Sequence, residues 1–308
     1  MSARDGVVNV SVIIPAYNAR ASIERCLASL EAQKDGAEFE VILVVSSRDG
    51  TAELVRARFP RVQLVVLPER AWPGDARNVG VRRSRGAILA FLDADSAVDA
   101  DWIVRVVRAH GGAGRALVCG VLTNGSPDSA VEWAFYFCAL SAWMPGTPTQ
   151  EMTDIAAGSL TMKRWVFDRF GPFLEGSYSS DTAFYWRAAA GGVRPLRDPS
   201  LIVHHASRIG LADFVKHRFV RGKAFARVRV SEQPVRGWRR IAYAALSPAL
   251  PLMLWMRTVS RVLASSRYRR RLLSALPLIA LGHAAWSLGE CAGYLSARGR
   301  RRATGPCE

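Results

Sequence analysis

Two aspartates lie one residue apart directly after a run of apolar residues, in the segment Phe91-Leu92-Asp93-Ala94-Asp95. If the strand that the apolar run predicts continues, residues i and i+2 point to the same side and both carboxylates can face one cation. Mg²⁺ and Mn²⁺ take oxygen ligands of this kind, together with substrate phosphates. Paired aspartates can equally cap a helix or turn the chain, so the surrounding sequence must decide between the two interpretations.

Two further positions carry groups that can bind a metal or move a proton. Asp181 follows Ser180 and precedes a stretch of helical composition, so by its position alone it can cap that helix. His204 and His205 end an apolar run, and an imidazole nitrogen is an acceptable ligand for Mn²⁺. The alternative is a histidine packed at the sheet edge, and the sequence does not choose between His204 and His205.

The elements that must position these groups follow from the alternation of two patterns. The first 122 residues alternate between short stretches rich in Val, Ile and Leu and stretches with helical spacing. Strands that alternate with helices pair in parallel, and the helices cover both faces of the sheet. Ligands of such α/β sheets bind beyond the carboxyl ends of the strands. The predicted strands are residues 7–14, 40–45, 62–67, 87–92 and 116–122.

Three motifs in a fixed order give the aspartate pair its context. The first predicted strand ends in Pro15-Ala16-Tyr17-Asn18, residues 76–80 read Ala-Arg-Asn-Val-Gly, and the aspartate pair follows. Together with Ser180-Asp181, this order resembles the family 2 glycosyltransferases of the type A fold over roughly residues 8–205. The resemblance implies a nucleotide-diphospho-sugar transferase fold, with a Rossmann-like mixed sheet flanked by helices, followed here by C-terminal membrane-associated helices.

The resemblance also implies a role for each matching residue. Asp95, with Asp93 and His205, would bind Mg²⁺ or Mn²⁺, and Asp181 would deprotonate the acceptor hydroxyl as the general base. A single displacement by that hydroxyl inverts the anomeric configuration and needs no covalent nucleophile. The implied contacts of the nucleotide-sugar donor are Pro15, Tyr17, Asn18, Ser46, Arg77, Asn78 and Asp93.

The chain departs from the family pattern at three points. Ser46 stands where the family usually carries an acidic residue after its second strand, and Ser180 replaces the Glu of a Glu-Asp pair. The choice between a uridine and a guanosine donor therefore stays open. The Gln-x-x-Arg-Trp signature of processive members is missing, and residues 217–222 stand in roughly its place. Addition of a single sugar is therefore expected rather than polymer extrusion.

The formal net charge of +16 is concentrated in the C-terminal third of the chain. Residues 204–302 contain many arginines and only three acidic side chains, which are Asp213, Glu232 and Glu290. The same region holds the longest apolar runs, at 241–256 and 272–297. Arginines interleaved with long apolar segments favour contact with anionic lipid over binding to nucleic acid.

The basic clusters predict how this region meets a membrane. If both apolar runs crossed it, the arginines of residues 257–271 would lie outside, against the positive-inside rule. We therefore expect interfacial or re-entrant helices, broken at Pro248, Pro251 and Pro277, that keep the basic clusters on the cytoplasmic face of the cell membrane. A buried helical subdomain of a soluble protein is the alternative. The predicted organisation is a catalytic domain (1–210), a basic membrane-associated helical region (211–302) and a tail (303–308).

The sequence thus predicts a membrane-associated inverting glycosyltransferase with a nucleotide-sugar donor and a lipid-linked or glycan acceptor of the cell envelope. A nucleotidyltransferase is disfavoured because no glycine-rich phosphate loop with a basic signature follows the first strand. A catalytically inactive nucleotide-sugar-binding or scaffold protein stays open because of Ser46 and Ser180. Five scattered cysteines predict neither a zinc ribbon nor a disulfide framework, and no nucleic-acid partner is expected.

Overall fold

The computed structural model describes residues 8–297 except residues 35, 113, 127, 147, 234 and 236, and a single mixed sheet lies at its centre. The predicted tail at 303–308 lies outside the described residues. The described strands are β1 (Val10–Ala16), β2 (Phe39–Val45), β3 (Gln63–Val66), β4 (Ile88–Phe91), β5 (Ser96–Val98), β6 (Leu117–Asn124), β7 (Gln150–Glu151), β8 (Leu160–Lys163) and β9 (Leu196–His205). The described α-helices are α1 (Ile23–Glu31), α2 (Thr51–Arg58), α3 (Pro73–Arg83), α4 (Trp102–Ala109), α5 (Ala130–Leu140), α6 (Arg164–Phe170), α7 (Ser180–Ala190), α8 (Leu211–Glu232), α9 (Gly237–Leu246), α10 (Leu250–Leu263) and α11 (Arg269–Ser296).

The strand order confirms the predicted fold class. The sheet runs β3-β2-β1-β4-β8-β6-β9-β5, and β7 pairs with β9. β1 pairs in parallel with β2 and β4, and β2 pairs in parallel with β3, as the alternation of strands and helices predicts. The carboxyl ends of these four strands therefore meet at one edge of the sheet, where ligands of α/β folds bind.

One predicted pairing is wrong. The fifth predicted strand, now β6, does not join the others in parallel, because β8 lies between β4 and β6 and is antiparallel to both. β8 comes from residues 160–163, at the start of a stretch rich in turn-forming residues for which the sequence indicated no strand. β9 then pairs in parallel with β6 and antiparallel with β5. These additions make the sheet mixed and bring the end of β9 to the end of β4.

Apolar side chains on both faces of the central strands form the main core. β1, β2 and β4 are almost wholly buried, as expected for parallel strands covered by helices on both sides. α3 packs tightly on β1, since a Cβ at Gly80 would collide with the side chain of Ile13. This close packing fixes Arg77, one turn earlier on α3, beside the carboxyl ends of the strands.

The C-terminal helices contain both a correct and a wrong prediction about proline. Pro248 and Pro251 lie in the short turn between α9 and α10 and in the first turn of α10, where the chain is interrupted as expected. Pro277 lies inside α11, so the predicted break at this position is wrong. A proline removes one main-chain hydrogen bond, and the packing of α11 against α5, α8 and α10 stabilises the helix on both sides of it.

α11 packs along α8 through glycines. A Cβ at Gly222 would collide with the carbonyl of Trp286, and a Cβ at Gly289 would collide with the carbonyl of Phe219. By length and composition α11 is the one described helix that could cross a membrane, and 44% of its most apolar window is buried within the protein. The helix is therefore partly a packing element, with an apolar outer face that remains exposed.

We expect Gly289→Ala to destabilise the helical region. Alanine is the better helix former by about 1 kcal/mol, but its Cβ would meet main-chain atoms of α8, and overpacking of this kind typically costs ~1–3 kcal/mol. Thermal unfolding of the purified chain in detergent should show a lower Tm. The control is Gly237→Ala at the start of α9, where a Cβ has open space. A Gly289→Ala variant as stable as the parent would contradict the close approach of α8 and α11.

Candidate active site

The three candidate metal ligands meet at the carboxyl end of β4. β4 ends at Phe91, and the chain turns through Asp93 and Asp95 before β5 begins at Ser96. Because β5 pairs with the end of β9, Ser96 lies opposite His205. His205 Nε2 lies 3.5 Å from Asp95 Oδ1 and 4.0 Å from Asp93 Oδ2. One ligand atom of each of the three residues lies within 4.8 Å of the others.

The carboxylates converge by a different route from the one that the sequence indicated. The strand does not continue through the aspartate pair, because the N–H of Ser96 donates to the carbonyl of Asp93 at 3.0 Å and closes a turn. The carbonyl of Asp95 accepts hydrogen bonds from Arg25 at 2.7 Å and from the N–H of Ala206 at 3.1 Å. These bonds tie the turn to α1 and to the end of β9.

His204 and His205 contact different groups. His205 Nδ1 lies 3.0 Å from Ser207 Oγ, which leaves its Nε2 beside the carboxylates. His204 bonds through Nδ1 to Thr123 Oγ1 at 2.8 Å and through Nε2 to Asp99 Oδ1 at 2.9 Å. Alternation along β9 therefore directs His205 to the aspartate pair and places His204 in a network at the sheet edge.

Asp95 carries a buried oxygen without a partner. Its Oδ1 is buried and accepts no hydrogen bond from the described residues. Burial raises the pKa of Asp95, and the charge of Asp93 adds to the shift while His205 opposes it. Two carboxylates and an imidazole form a donor set that Mg²⁺ or Mn²⁺ accepts. The residues present therefore fit a divalent cation.

Two neighbours hold Asp93 in place. Arg77 is buried on α3 and donates from Nη2 to Asp93 Oδ1 at 2.9 Å. Gly158 lies against the other side of Asp93, and a Cβ at this position would collide with the carboxylate. Sequence reasoning missed Gly158, because a single glycine in a turn-rich stretch does not show which distant side chain it admits.

Four residues expected at the nucleotide lie together at the ends of β1 and β2, namely Pro15, Tyr17, Asn18 and Ser46. The N–H of Ser46 bonds to the last residue of β1 at 3.0 Å, and the N–H of Asn18 donates to Ser47 Oγ at 3.0 Å. Asn18 adopts a φ of 53°. The guanidinium carbon of Arg70 lies 4.6 Å from the ring centroid of the exposed Tyr17, a contact that could not be predicted from the sequence.

The acidic residue nearest to Ser46 along the chain is Asp49, and both of its carboxylate oxygens accept hydrogen bonds, one from its own loop and one from the loop after β1. Oδ1 accepts from Ser47 Oγ and Thr51 Oγ1 at 2.8 Å, and Oδ2 accepts from the N–H of Arg20 at 3.0 Å. Burial opposes ionisation, but these hydrogen bonds prevail and lower the pKa of Asp49 to about 2. Asp49 therefore stabilises the loop after β2 and ties it to the loop after β1.

Asn78 lies beneath the site and is fully buried. Its Nδ2 donates to the carbonyl of Phe173, and its Oδ1 accepts from the N–H of the same residue, both at 2.9 Å. These two bonds tie α3 to the segment that precedes α7. Asn78 follows Arg77 in the chain, but its amide is bonded to Phe173 and does not line the cavity described below.

Asp181 lies in the first turn of α7, where Ser179 occupies the N-cap position. Its Oδ1 accepts a hydrogen bond from the N–H of the following residue at 2.9 Å. Ser180 is fully buried against Gly74 of α3, so a larger side chain would not fit at this position without movement. A further carboxylate, Asp154, was missed by sequence reasoning. Burial raises the pKa of Asp154 to about 7, and the charge of Asp181 adds to this shift.

A cavity of about 1500 Å³ joins these groups. Five of the residues expected at the site line it, namely Arg77, Asp93, Asp95, Asp181 and His205. The other five, four at the strand ends and Asn78 beneath the site, are not among its lining residues. The cavity extends to α8, α10 and α11, where its wall carries arginines that the sequence had indicated only as part of a basic, lipid-facing region.

Comparison with known proteins extends the resemblance seen in the sequence. The model of the family described as Glycosyl transferase family 2 matches residues 11–168, just over half of the chain. Glycosyltransferase AglE of Haloferax volcanii is 38% identical over 116 residues, which are 36% of this chain and 38% of that protein. Succinoglycan biosynthesis protein ExoO of Rhizobium meliloti is 39% identical over 126 residues, which are 40% of this chain and 36% of that protein.

The chain therefore spans less than two fifths of the length of either relative. Among solved structures, it is similar to the mannosyltransferase PcManGT of Pyrobaculum calidifontis in complex with GDP-Man and Mn²⁺. The TM-score is 0.58 at 19% sequence identity, and the match covers 92% of this chain and 86% of that one. At this identity the likeness shows a shared fold.

Proposed function

The chain belongs to glycosyltransferase family 2, and we propose that it is a metal-dependent, inverting enzyme that transfers a sugar from a nucleotide-sugar to a lipid-linked or cell-envelope acceptor. The observation that carries this proposal is the convergence of Asp93, Asp95 and His205 on a cavity that Asp181 also lines. Two carboxylates with an imidazole suit a cation, and a separate carboxylate on α7 suits proton transfer.

In this proposal Asp95, Asp93 and His205 hold Mg²⁺ or Mn²⁺. Such a cation, when bound, stabilises the negative charge that develops on a diphosphate leaving group. Arg77 orients Asp93 through its charge-assisted hydrogen bond, and its buried Nε has no partner among the described residues, so it can donate to an anionic oxygen of the donor. Arg77 thus both positions a ligand and binds substrate.

The ends of β1 and β2 form the proposed nucleotide subsite. Tyr17 presents an exposed aromatic face, and Pro15, Asn18 and Ser46 border it. Arg70, stacked on Tyr17, adds a positive charge. Asn78 acts as a positioning residue in this account, because its amide is bonded to Phe173.

Asp181 is the proposed general base. Its carboxylate accepts the proton of the acceptor hydroxyl while the hydroxyl oxygen forms the bond to the anomeric carbon and the nucleotide diphosphate departs. One displacement inverts the anomeric configuration, and no residue of this chain needs to form a covalent intermediate. The predicted addition of a single sugar is consistent with this scheme.

We place the enzyme at the cytoplasmic face of the cell membrane. Large apolar side chains of α9, α10 and α11 are exposed, and arginines lie between them in the sequence, as in helices that bind an anionic membrane surface. The relative ExoO is a succinoglycan biosynthesis protein, and a glycan acceptor is consistent with that likeness. The exposed apolar residues include Trp238, Ile241, Leu252, Met256, Leu273, Leu288 and Leu295.

An inactive nucleotide-sugar-binding membrane protein is the second candidate. The observation that favours it is the serine at positions 46 and 180, where the family usually carries acidic residues. Ser180 is fully buried, and its hydroxyl has no hydrogen-bond partner among the described residues. Binding without transfer would distinguish this candidate from the enzyme.

Donor binding can be measured by thermal unfolding with a panel of UDP- and GDP-sugars. We expect at least one donor to raise the Tm in the presence of Mn²⁺, because a ligand at 100 times its Kd stabilises the native state by about 2.7 kcal/mol. The same donor with EDTA should give little or no shift. A shift of equal size without a divalent cation would contradict the metal-dependent site.

A further inference from the structure

Five arginines line the part of the cavity between β9 and the C-terminal helices, and we call this part the arginine chamber. All five lie beyond residue 168, where the match to the family model ends, so that match does not account for them. They come from three elements: Arg197 from β9, Arg218 and Arg221 from α8, and Arg257 and Arg261 from α10.

The arginine chamber holds positive charge without a matching carboxylate. Among the described residues, no carboxylate oxygen lies within 4.0 Å of a guanidinium nitrogen of any of the five. Arg218 is only 5% exposed, and it contacts the carbonyl of Gly282 at 3.5 Å and the ring of Trp286 at 4.6 Å. Arg197 is 3% exposed, donates one bond to the carbonyl of Ala142, and keeps a buried Nε without a partner. Buried charge without an anion is costly, so both side chains indicate an anionic ligand.

Asp154 lines the same cavity and interacts electrostatically with Arg221 and Arg257. Burial, with Asp181 adding to the effect, raises the pKa of Asp154 to about 7. Near neutral pH a large share of this carboxyl is therefore protonated. Other acidic residues also line the cavity, among them Glu151, Asp181, Asp213 and Glu290, but none of them forms an ion pair with the five arginines. The positive charge of these arginines is therefore not neutralised by direct ion pairs among the described residues.

One face of α10 combines this charge with an apolar surface. Leu250, Leu254, Arg257 and Arg261 follow one another at spacings of four, three and four residues, so they share a face, and all four line the cavity. The first two turns of this face are apolar and the last two are cationic. Met253 also lines the cavity and is half exposed, so the apolar end reaches the exposed surface of the C-terminal helices.

We infer that the arginine chamber binds the phosphate or diphosphate of a lipid-linked acceptor, with the apolar chain along Leu250 and Leu254 toward the exposed face. The inference rests on the proposed function, since it names the acceptor class for that same cavity. A nucleotide diphosphate has the same anionic chemistry, but it has no apolar chain to match this half of α10. The proposed cation site already provides for the donor diphosphate, whereas no described carboxylate forms an ion pair with the five arginines of the chamber.

The test uses the full chain in neutral detergent and decyl phosphate as the probe, below its micelle concentration, with binding measured by calorimetry. We expect decyl phosphate to bind more tightly than inorganic phosphate or decyl maltoside, because only the first offers both the anion and the chain. The double variant Arg257→Gln/Arg261→Gln should weaken binding of decyl phosphate at least about tenfold, since charge-assisted hydrogen bonds are lost. Both arginines are exposed, so the variant should fold.

The matched control is Arg269→Gln/Arg270→Gln, which removes the same charge from exposed arginines of α11 that do not line the cavity. Equal weakening by both double variants would mean general attraction of the amphiphile to a basic surface and would overturn the inference, as would unchanged affinity in Arg257→Gln/Arg261→Gln. The stabilisation by nucleotide-sugar and Mn²⁺ should be the same in this variant as in the parent. If Arg257→Gln/Arg261→Gln lost the stabilisation by donor, the arginines would bind the donor diphosphate and the inference would be overturned. If the parent itself showed no stabilisation by donor, the result would count against the proposed function.

Discussion

Asp181→Asn is expected to lower the rate of sugar transfer by about 10²–10⁴, the usual contribution of a positioned general base. Asparagine keeps the size of the side chain and an oxygen that can accept the bond from the next N–H, but it takes no proton. The fold and the donor-dependent rise in Tm should therefore be unchanged. The measurement is the initial rate of transfer at saturating donor, for the parent and the variant.

Asp154→Asn provides the matched comparison, because Asp154 lines the same cavity and interacts electrostatically with Asp181. A carboxyl whose pKa lies at about 7 can also accept a proton, so Asp154 is an alternative base in the same cavity. We expect its replacement to change the rate far less than Asp181→Asn. The reverse order would transfer the role of base to Asp154.

Asp95→Asn is expected to abolish metal-dependent donor binding. Mutations of residues that only orient a metal ligand typically cost about 10–100-fold in affinity, so the loss of a direct ligand should cost at least about 100-fold for Mn²⁺. Asp95 carries the buried oxygen without a partner, which is why it should matter more than its neighbours. Titration calorimetry with Mn²⁺, alone and with the donor that raises the Tm, measures both affinities.

Asp101→Asn is the control for this variant. Asp101 lies at the N-cap of α4, outside the metal cluster, and its side chain makes no capping hydrogen bond but pairs with Arg105 at 2.7 Å near the surface. It should bind Mn²⁺ and donor as the parent does. An Asp95→Asn variant whose donor affinity with Mn²⁺ equals that of this control would show that the metal assignment is wrong.

The parallel half of the fold could be predicted from the sequence because its signals are local. Short apolar strands alternate with amphipathic helices, and each predicted strand through residue 92 appears in the sheet. β8 could not be predicted in the same way, because its four residues are defined by pairing with β4 and β6 and not by a long apolar run. The continuity of α11 through Pro277 likewise depends on packing against other helices.

The candidate site shows the same division. The aspartate pair was visible as a motif, but its turn is set by hydrogen bonds to Arg25 and to the residue after His205, which are distant in sequence. Gly158 and the arginine chamber could not be predicted from the sequence for the same reason. Their roles depend on contacts with residues that are distant along the chain. A basic composition indicated lipid, yet only the fold shows which arginines share one cavity with the aspartates.

The central claim is that this chain transfers a sugar, and transfer of label from a nucleotide-sugar to an acceptor tests it most directly. The purified chain would be incubated with Mn²⁺, a lipid extract of membranes from its source organism and radiolabelled UDP- and GDP-sugars in turn. We predict that at least one donor labels the organic-soluble fraction, that EDTA prevents the labelling, and that Asp181→Asn reduces it by about 10²–10⁴. Donor binding without labelled product from any donor would contradict the account and identify an inactive nucleotide-sugar-binding protein instead.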